Sequence, residues 1–156
     1  MTVKSILEEK GREVVTLGPS ETIENAIRTL AERRIGALVI ISGDNRIAGI
    51  LSERDVVRII AAEGADALKK PLSAAMTSRV LTCTESHTVN DVMETMTEGR
   101  FRHLPVEVDG FLVGIVSIGD VVKRRIRDVE REAEDIKAYI ATVCCKDAAA
   151  MGGGAS

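Results

Sequence analysis

The sequence predicts an α/β (α+β) fold built from two pseudo-symmetric repeats, each a small sheet packed with two helices, plus a long C-terminal helix. Three observations predict it. A Gly-x-x-Ser-x-x-Asp stretch occurs twice, as Gly49-Ile50-Leu51-Ser52-Glu53-Arg54-Asp55 and again, sixty-five residues on, as Gly114-Ile115-Val116-Ser117-Ile118-Gly119-Asp120. The helical phasing ahead of it also repeats, Thr22, Ile23, Ala26, Ile27 and Leu30 matching Thr88, Val89, Val92, Met93 and Met96. Beyond the second copy, Val122, Ile126, Val129, Ala133, Ile136, Ile140 and Val143 are spaced alternately by four and three residues, a heptad seam. A period of this length is a duplicated α/β unit, longer than a solenoid turn.

Residues 1–10, with Val3, Ile6 and Leu7 apolar and Gly11 closing, read as a short amphipathic lead-in helix. Val14-Val15-Thr16 is a short strand, Gly18-Pro19 a turn, and Thr22 the cap of a helix with apolar residues at i, i+3, i+4 and i+7. Ala37 to Ile41 and Ile47 to Leu51 form a hairpin around Ser42-Gly43-Asp44-Asn45, and a helix runs from Ser52 to about Ala62. The second half replays this with Leu81-Thr82, the helix after Thr88, and the hairpin Leu104 to Val108 and Phe111 to Val116 around Asp109-Gly110. The expected divisions are a first repeat with its lead-in helix (1–63), a linker (64–75), a second repeat (76–125), a helical extension (126–147) and a small, Gly-rich flexible tail (148–156). Chance similarity would need apolar phase, cap, turn and motif all to coincide.

The composition, 45% hydrophobic and 29% charged over 156 residues, is that of a soluble globular chain. Phe101, Phe111 and Tyr139 are its whole aromatic complement, so the core is aliphatic and little is left for stacking bases. A net charge of −3 argues against a broad nucleic-acid surface. No run reaches the roughly 18 apolar residues of a membrane span, and the N-terminus lacks a signal-type apolar region. Cys83, Cys144 and Cys145 lack ligand-like spacing, which suits reduced thiols in a cytoplasm and gives no metal site. No nucleophile–base set and no phosphate loop with lysine is present, so an enzyme is not expected.

In each Gly-x-x-Ser-x-x-Asp copy an apolar strand reaches the glycine and Val-Val follows the aspartate. The order is strand, close approach, first helical turn, with serine at N-cap and aspartate at N3, near a capping box. A helix N-terminus offers free N–H groups and a positive dipole end, which suit an anion or a sugar hydroxyl. The plain alternative is that Ser52/Asp55 and Ser117/Asp120 are caps and nothing more, stabilising by ~0.5–2 kcal/mol.

Strand, helix, hairpin and Gly-x-x-Ser-x-x-Asp helix, given twice, resemble a tandem pair of CBS (cystathionine-β-synthase) domains, a stand-alone Bateman-type module. Arg102-His103-Leu104-Pro105-Val106 is also similar to that family's second-repeat strand. The resemblance covers about residues 1–125 and implies two clefts between the repeats that take adenosyl ligands: AMP foremost, ADP, ATP, NAD-type dinucleotides or S-adenosylmethionine. It implies a regulatory, non-catalytic role. It also implies that aspartate holds ribose hydroxyls, with serine near the phosphate and strand residues framing adenine. Carried over, repeat one supplies Thr16, Ala37, Ser52 and Asp55, and repeat two supplies Thr82, Ser117 and Asp120.

In related modules the cation facing the phosphate comes from the opposite repeat. For the Asp55 cleft that is Arg102-His103; for the Asp120 cleft the matching Gly36-Ala37 carries no charge, and Arg54 is matched by Gly119. A charge-assisted bond is worth ~1.5–3 kcal/mol, so the Asp55 cleft is expected to be the better phosphate site. The expected partners are the adenosyl molecule, a second copy of the chain through the seam, and an effector protein. The competing reading is a structural dimerisation module with unoccupied clefts.

Overall fold

The computed structural model describes residues 1–151, with side chains as far as Cys144. Its elements are α1 (Val3–Lys10), β1 (Thr16–Leu17), α2 (Ile23–Arg33), β2 (Ala37–Ile41), β3 (Ile47–Ser52), α3 (Glu53–Glu63), α4 (Val89–Gly99), β4 (His103–Val108), β5 (Phe111–Ser117) and α5 (Ile118–Met151), with two 3₁₀ turns at Gly64–Lys69 and Leu72–Ala74. The chain forms two compact units, Met1–Val121 and the stretch beginning at Val122.

Hydroxyl side chains cap α2, α3 and α4. Thr22 Oγ1 accepts from Asn25 N–H at 3.2 Å. Thr88 and Asp91 form a reciprocal box, Thr88 Oγ1 accepting from Asp91 N–H at 3.1 Å and Asp91 Oδ2 from Thr88 N–H at 3.0 Å. Between helices, β1 pairs in parallel with β2 and β2 antiparallel with β3, giving the order β1-β2-β3. β4 and β5 form the second hairpin, and the short strand expected at Leu81-Thr82 is reduced to a single parallel bridge, Cys83 to Val106. Asp109 and Gly110 both have positive φ (53° and 85°), as a two-residue turn with the twist of its strands requires.

Two cores follow. One gathers Ile23, Ala26, Leu30, Leu38, Ile40, Leu51 and Val56 of repeat one together with Leu72 from the linker. The other gathers Val89, Val92, Met96, Leu104, Val106 and Val116 of repeat two together with Val3, Ile6 and Leu7 of α1. The lead-in helix thus precedes repeat one in sequence but packs on repeat two. Backbone bonds fix the exchange: Val3 N–H donates to His87 O (2.9 Å) and Val89 N–H to Met1 O (3.1 Å), while Ile23 N–H donates to Lys70 O (3.0 Å) and Leu72 N–H to Glu21 O (2.8 Å).

The motif glycines make room for these crossing segments. A Cβ on Gly49 would stand 2.7 Å from Met76 Sδ and 2.9 Å from Thr77 O, and Thr77 exchanges both backbone bonds with Ile50. A Cβ on Gly114 would stand 2.8 Å from Leu7 Cδ2.

In the second unit α5 continues to Met151. The extension expected to end at 147 therefore runs further, because Ala148-Ala149-Ala150 are strong helix formers and the glycines begin only at Gly152. Of the expected tail, residues 152–156 lie outside the described residues.

Candidate ligand-binding site

At the start of α3, Ser52 Oγ accepts from Asp55 N–H (3.3 Å), and Asp55 Oδ2 accepts from Ser52 N–H (2.9 Å) and Ser52 Oγ–H (3.0 Å). At the start of α5, Ser117 Oγ accepts from Asp120 N–H (3.2 Å) and Asp120 Oδ2 from Ser117 N–H (2.9 Å). Each box uses one carboxylate oxygen and leaves Oδ1 unbonded among the described residues. The first helical N–H is also used in both copies, Glu53 donating to Gly36 O (3.0 Å) and Ile118 to Arg102 O (2.7 Å). What remains in each first turn is the amide of Arg54 and of Gly119, and both residues line one cavity.

That cavity, about 660 Å³, lies within the first unit between the two repeats. Ser52, Arg54, Asp55 and Arg58 come from α3 and its cap; Thr77 and Arg79 come from the segment leading into repeat two. Arg100, Phe101, Arg102 and His103 come from the end of α4 and the start of β4, and Ser117 and Gly119 from the start of α5. Arg54, Arg58, Arg79, Arg100 and Arg102 stand against only Glu53 and Asp55, so the lining is strongly cationic although the whole chain is acidic. Arginine forks of this kind have the charge and geometry to pair with phosphate or carboxylate oxygens. His103 adds no charge at neutral pH: burial lowers its pKa, the Lys10 ammonium and Arg102 add to the depression, and Asp120 and Glu53 offset only part of it.

Of the residues expected from sequence, Ser52, Arg54, Asp55, Arg102, His103 and Ser117 meet in this cavity. Thr16, Ala37, Thr82 and Asp120 do not line it. Thr16 is half-buried in β1 opposite Val39, and Ala37 is buried opposite Ser52, leaving Gly36 at the wall in its place. Thr82 is half-buried beside the Cys83 bridge, and Leu81 lines the cavity instead. Asp120 is engaged from outside its repeat: Lys10 Nζ donates to Asp120 Oδ2 at 2.6 Å and to Ile115 O at 3.0 Å. Gly36-Ala37, the positions matched in the sequence, carry no charge; a cation that the sequence does not place reaches the second carboxylate itself. The cation comes from α1, which sequence order assigns to the other repeat. Burial raises the Asp120 pKa, but Lys10 and the Ser117 donors outweigh it and hold the carboxyl below its ordinary value.

Arg58, Arg79 and Arg100 are lining residues that the motif did not supply. Arg58 was accessible to pattern reading, since it stands one turn beyond Arg54 on the same helix face. Arg100 closes α4 in the left-handed conformation (φ 55°), as Arg34 closes α2 (φ 53°), so the repeat itself marks it. Arg79 sits in irregular chain, and nothing in its spacing distinguishes it.

The CBS domain family model matches residues 3–62 and 72–127. The mitochondrial CBS domain-containing protein CBSX3 of Arabidopsis thaliana is 31% identical over 147 residues, 89% of this chain and 71% of that protein. Among solved structures, the CBS-domain containing protein ATU1752 from Agrobacterium tumefaciens is 49% identical, with a TM-score of 0.78 over 80% of this chain and 99% of that one. The CBS domain protein PAE2072 from Pyrobaculum aerophilum, complexed with AMP, is 29% identical, with a TM-score of 0.69 over 77% of this chain and 89% of that one. The CBS domain pair of MJ0100, in complex with 5′-methylthioadenosine and S-adenosyl-L-methionine, is 25% identical, with a TM-score of 0.74 over 82% and 98%. Two family matches, one on each copy of the strand–glycine–serine–aspartate element, leave one description of the first unit: this chain belongs to the CBS domain family, as a tandem pair.

Proposed function

We propose that the chain is a non-catalytic regulatory module that binds a phosphorylated adenosyl ligand, AMP foremost, in the cavity between its repeats. It would signal occupancy to an effector protein. The observation that carries this is the convergence of five arginines and two helix N-termini on one cavity that also holds Ser52 and Asp55. Asp55 Oδ1 would accept from the ribose diol, while Arg102, Arg54 and the Arg54 amide would hold the phosphate; Ile50, Val80 and Leu81 offer an apolar wall for adenine. A related pair complexed with AMP and another with S-adenosyl-L-methionine support the adenosyl class. ADP, ATP, NAD-type dinucleotides and S-adenosylmethionine are the runners-up, and the arginine count favours the phosphorylated ones. The second cleft, whose Asp120 already holds Lys10, would take a ligand more weakly. We further propose a homodimer acting in the cytoplasm; no helix among the described residues is long and apolar enough to cross a membrane.

One observation favours the structural reading: the capping boxes alone account for Ser52, Asp55, Ser117 and Asp120. Mass spectrometry of small molecules released from freshly purified protein, followed by calorimetry with AMP, separates the two. The stronger binding event should disappear in Asp55→Ala and be largely kept in Asp120→Ala; equal losses in both would overturn the assignment. Ligand at about 100 times its dissociation constant should stabilise the fold by ~2.7 kcal/mol. No thermal shift with any adenosyl ligand would leave the structural module as the better account.

A further inference from the structure

The second unit carries an apolar seam that the described residues leave exposed: Val129 is 48% exposed, Ile136 59% and Ile140 54%. In heptad terms Ile126, Ala133 and Ile140 occupy a, while Val122, Val129, Ile136 and Val143 occupy d. Most flanking positions are charged, with Arg125 and Glu132 at g and Lys123, Glu130 and Lys137 at e; Tyr139 is the uncharged g residue. None of Arg125, Glu130, Glu132 and Lys137 is ion-paired within its own chain among the described residues.

Those charges decide what can lie on the seam. In a parallel, in-register pair each g residue faces the e residue five positions on in the other helix. Arg125 then meets Glu130 of the second copy, and Glu132 meets Lys137 of the second copy. Both pairs are attractive and both occur on each side. The antiparallel alignment that sets Ile126 against Val143 leaves Val122 without a partner, matches only Glu130 with Lys137 and gives Arg125 no acidic partner. The antiparallel alignment that sets Val122 against Ile140 leaves Val143 without a partner and sets Glu130 and Glu132 against their own copies. Charged e and g positions also confine the apolar contact to two columns, the width of a two-stranded pair.

We infer that residues 122–143 form a parallel, in-register, two-stranded coiled coil with a second copy of this chain. This deepens the homodimer reading above and rests on it. The a and d residues supply the affinity, and the Arg125–Glu130 and Glu132–Lys137 pairs select direction and register.

Sedimentation and light scattering on the full chain and its variants test both levels. The full chain should be a dimer at micromolar concentration, and Ile136→Asp should make it monomeric while its circular dichroism keeps the signal of the first unit. Arg125→Glu should weaken the dimer about tenfold, by turning two attractive contacts into repulsions, and Arg125→Glu/Glu130→Arg should recover wild-type affinity to within about threefold. A monomeric full chain overturns both the coiled coil and the homodimer, and leaves the seam to a different protein. A dimer untouched by Ile136→Asp overturns the coiled coil alone. A dimer insensitive to Arg125→Glu, or one that the double exchange fails to restore, overturns the parallel register. A trimer or tetramer, which β-branched d positions by themselves favour, overturns the two-stranded arrangement.

Discussion

Asp55 and Asp120 occupy the same place in two copies of one motif, yet they differ in what they have left to offer. Both spend Oδ2 on a cap, but only Asp120 also holds an ammonium group, from Lys10. The sequence separates the two clefts by Arg102-His103 against Gly36-Ala37, but it cannot show that α1 reaches the second carboxylate. His103 is the residue whose surroundings make a pH-dependent statement. Its pKa is lowered in the folded protein, so as pH falls the unfolded chain takes up that proton first. Stability should therefore fall as pH drops below the ordinary histidine value near 6.5, and the loss should level off once the folded form is protonated as well. His103→Gln should flatten that slope in urea titrations between about pH 7 and pH 5, relative to the wild-type chain; an unchanged slope would remove His103 as its source. An anionic phosphate bound beside the imidazole would favour its protonated form, so ligand binding should draw in a proton over the same window.

At the scale of elements, the two motif glycines pose the same steric problem with different neighbours. Gly49 lies under the backbone of Thr77, which is tied to Ile50 by two hydrogen bonds of 3.1 and 2.9 Å and cannot retreat without breaking them. Gly114 lies under the tip of a leucine side chain. Gly49→Ala should cost ~1–3 kcal/mol by overpacking, and Gly114→Ala less, because a leucine rotamer can give way where a paired strand cannot. Chemical denaturation of both variants checks the order; a larger loss at Gly114 would show that Leu7 is the more rigidly held. The elements themselves were the most legible part of the chain. Apolar spacing at Ile23, Ala26 and Leu30 and at Val89, Val92 and Met96 located the core faces of α2 and α4, because 3.6-residue periodicity is a local property. The Asp109-Gly110 turn was legible because its chemistry is confined to two residues. The strand expected at Leu81-Thr82 was not, since only Cys83 finds a ladder partner. Arg79 and Lys10 escaped for a related reason: what gives them meaning is a neighbour far away in sequence.

Across the whole first unit, the exchange of segments sets where stability is felt. Leu7, 1% exposed, belongs to the core of repeat two although it lies before repeat one. Leu7→Ala should cost ~2–5 kcal/mol, a large share of the ~5–15 kcal/mol typical of a domain. In hydrogen exchange the loss of protection should appear first in β4 and β5, more than in β2 and β3; the reverse order would place α1 energetically with its sequence neighbour. The linker makes the opposite journey, Leu72 closing the core of repeat one. In the language of assembly, each half of this duplicated chain is completed by a piece lying outside it. A break in the 64–69 turn would leave one fragment carrying α1, which it cannot use, and the other carrying Leu72, which it cannot use either. Each would hold the part the other lacks, so neither half should fold alone as it does in the whole chain, and the cavity is lined by both.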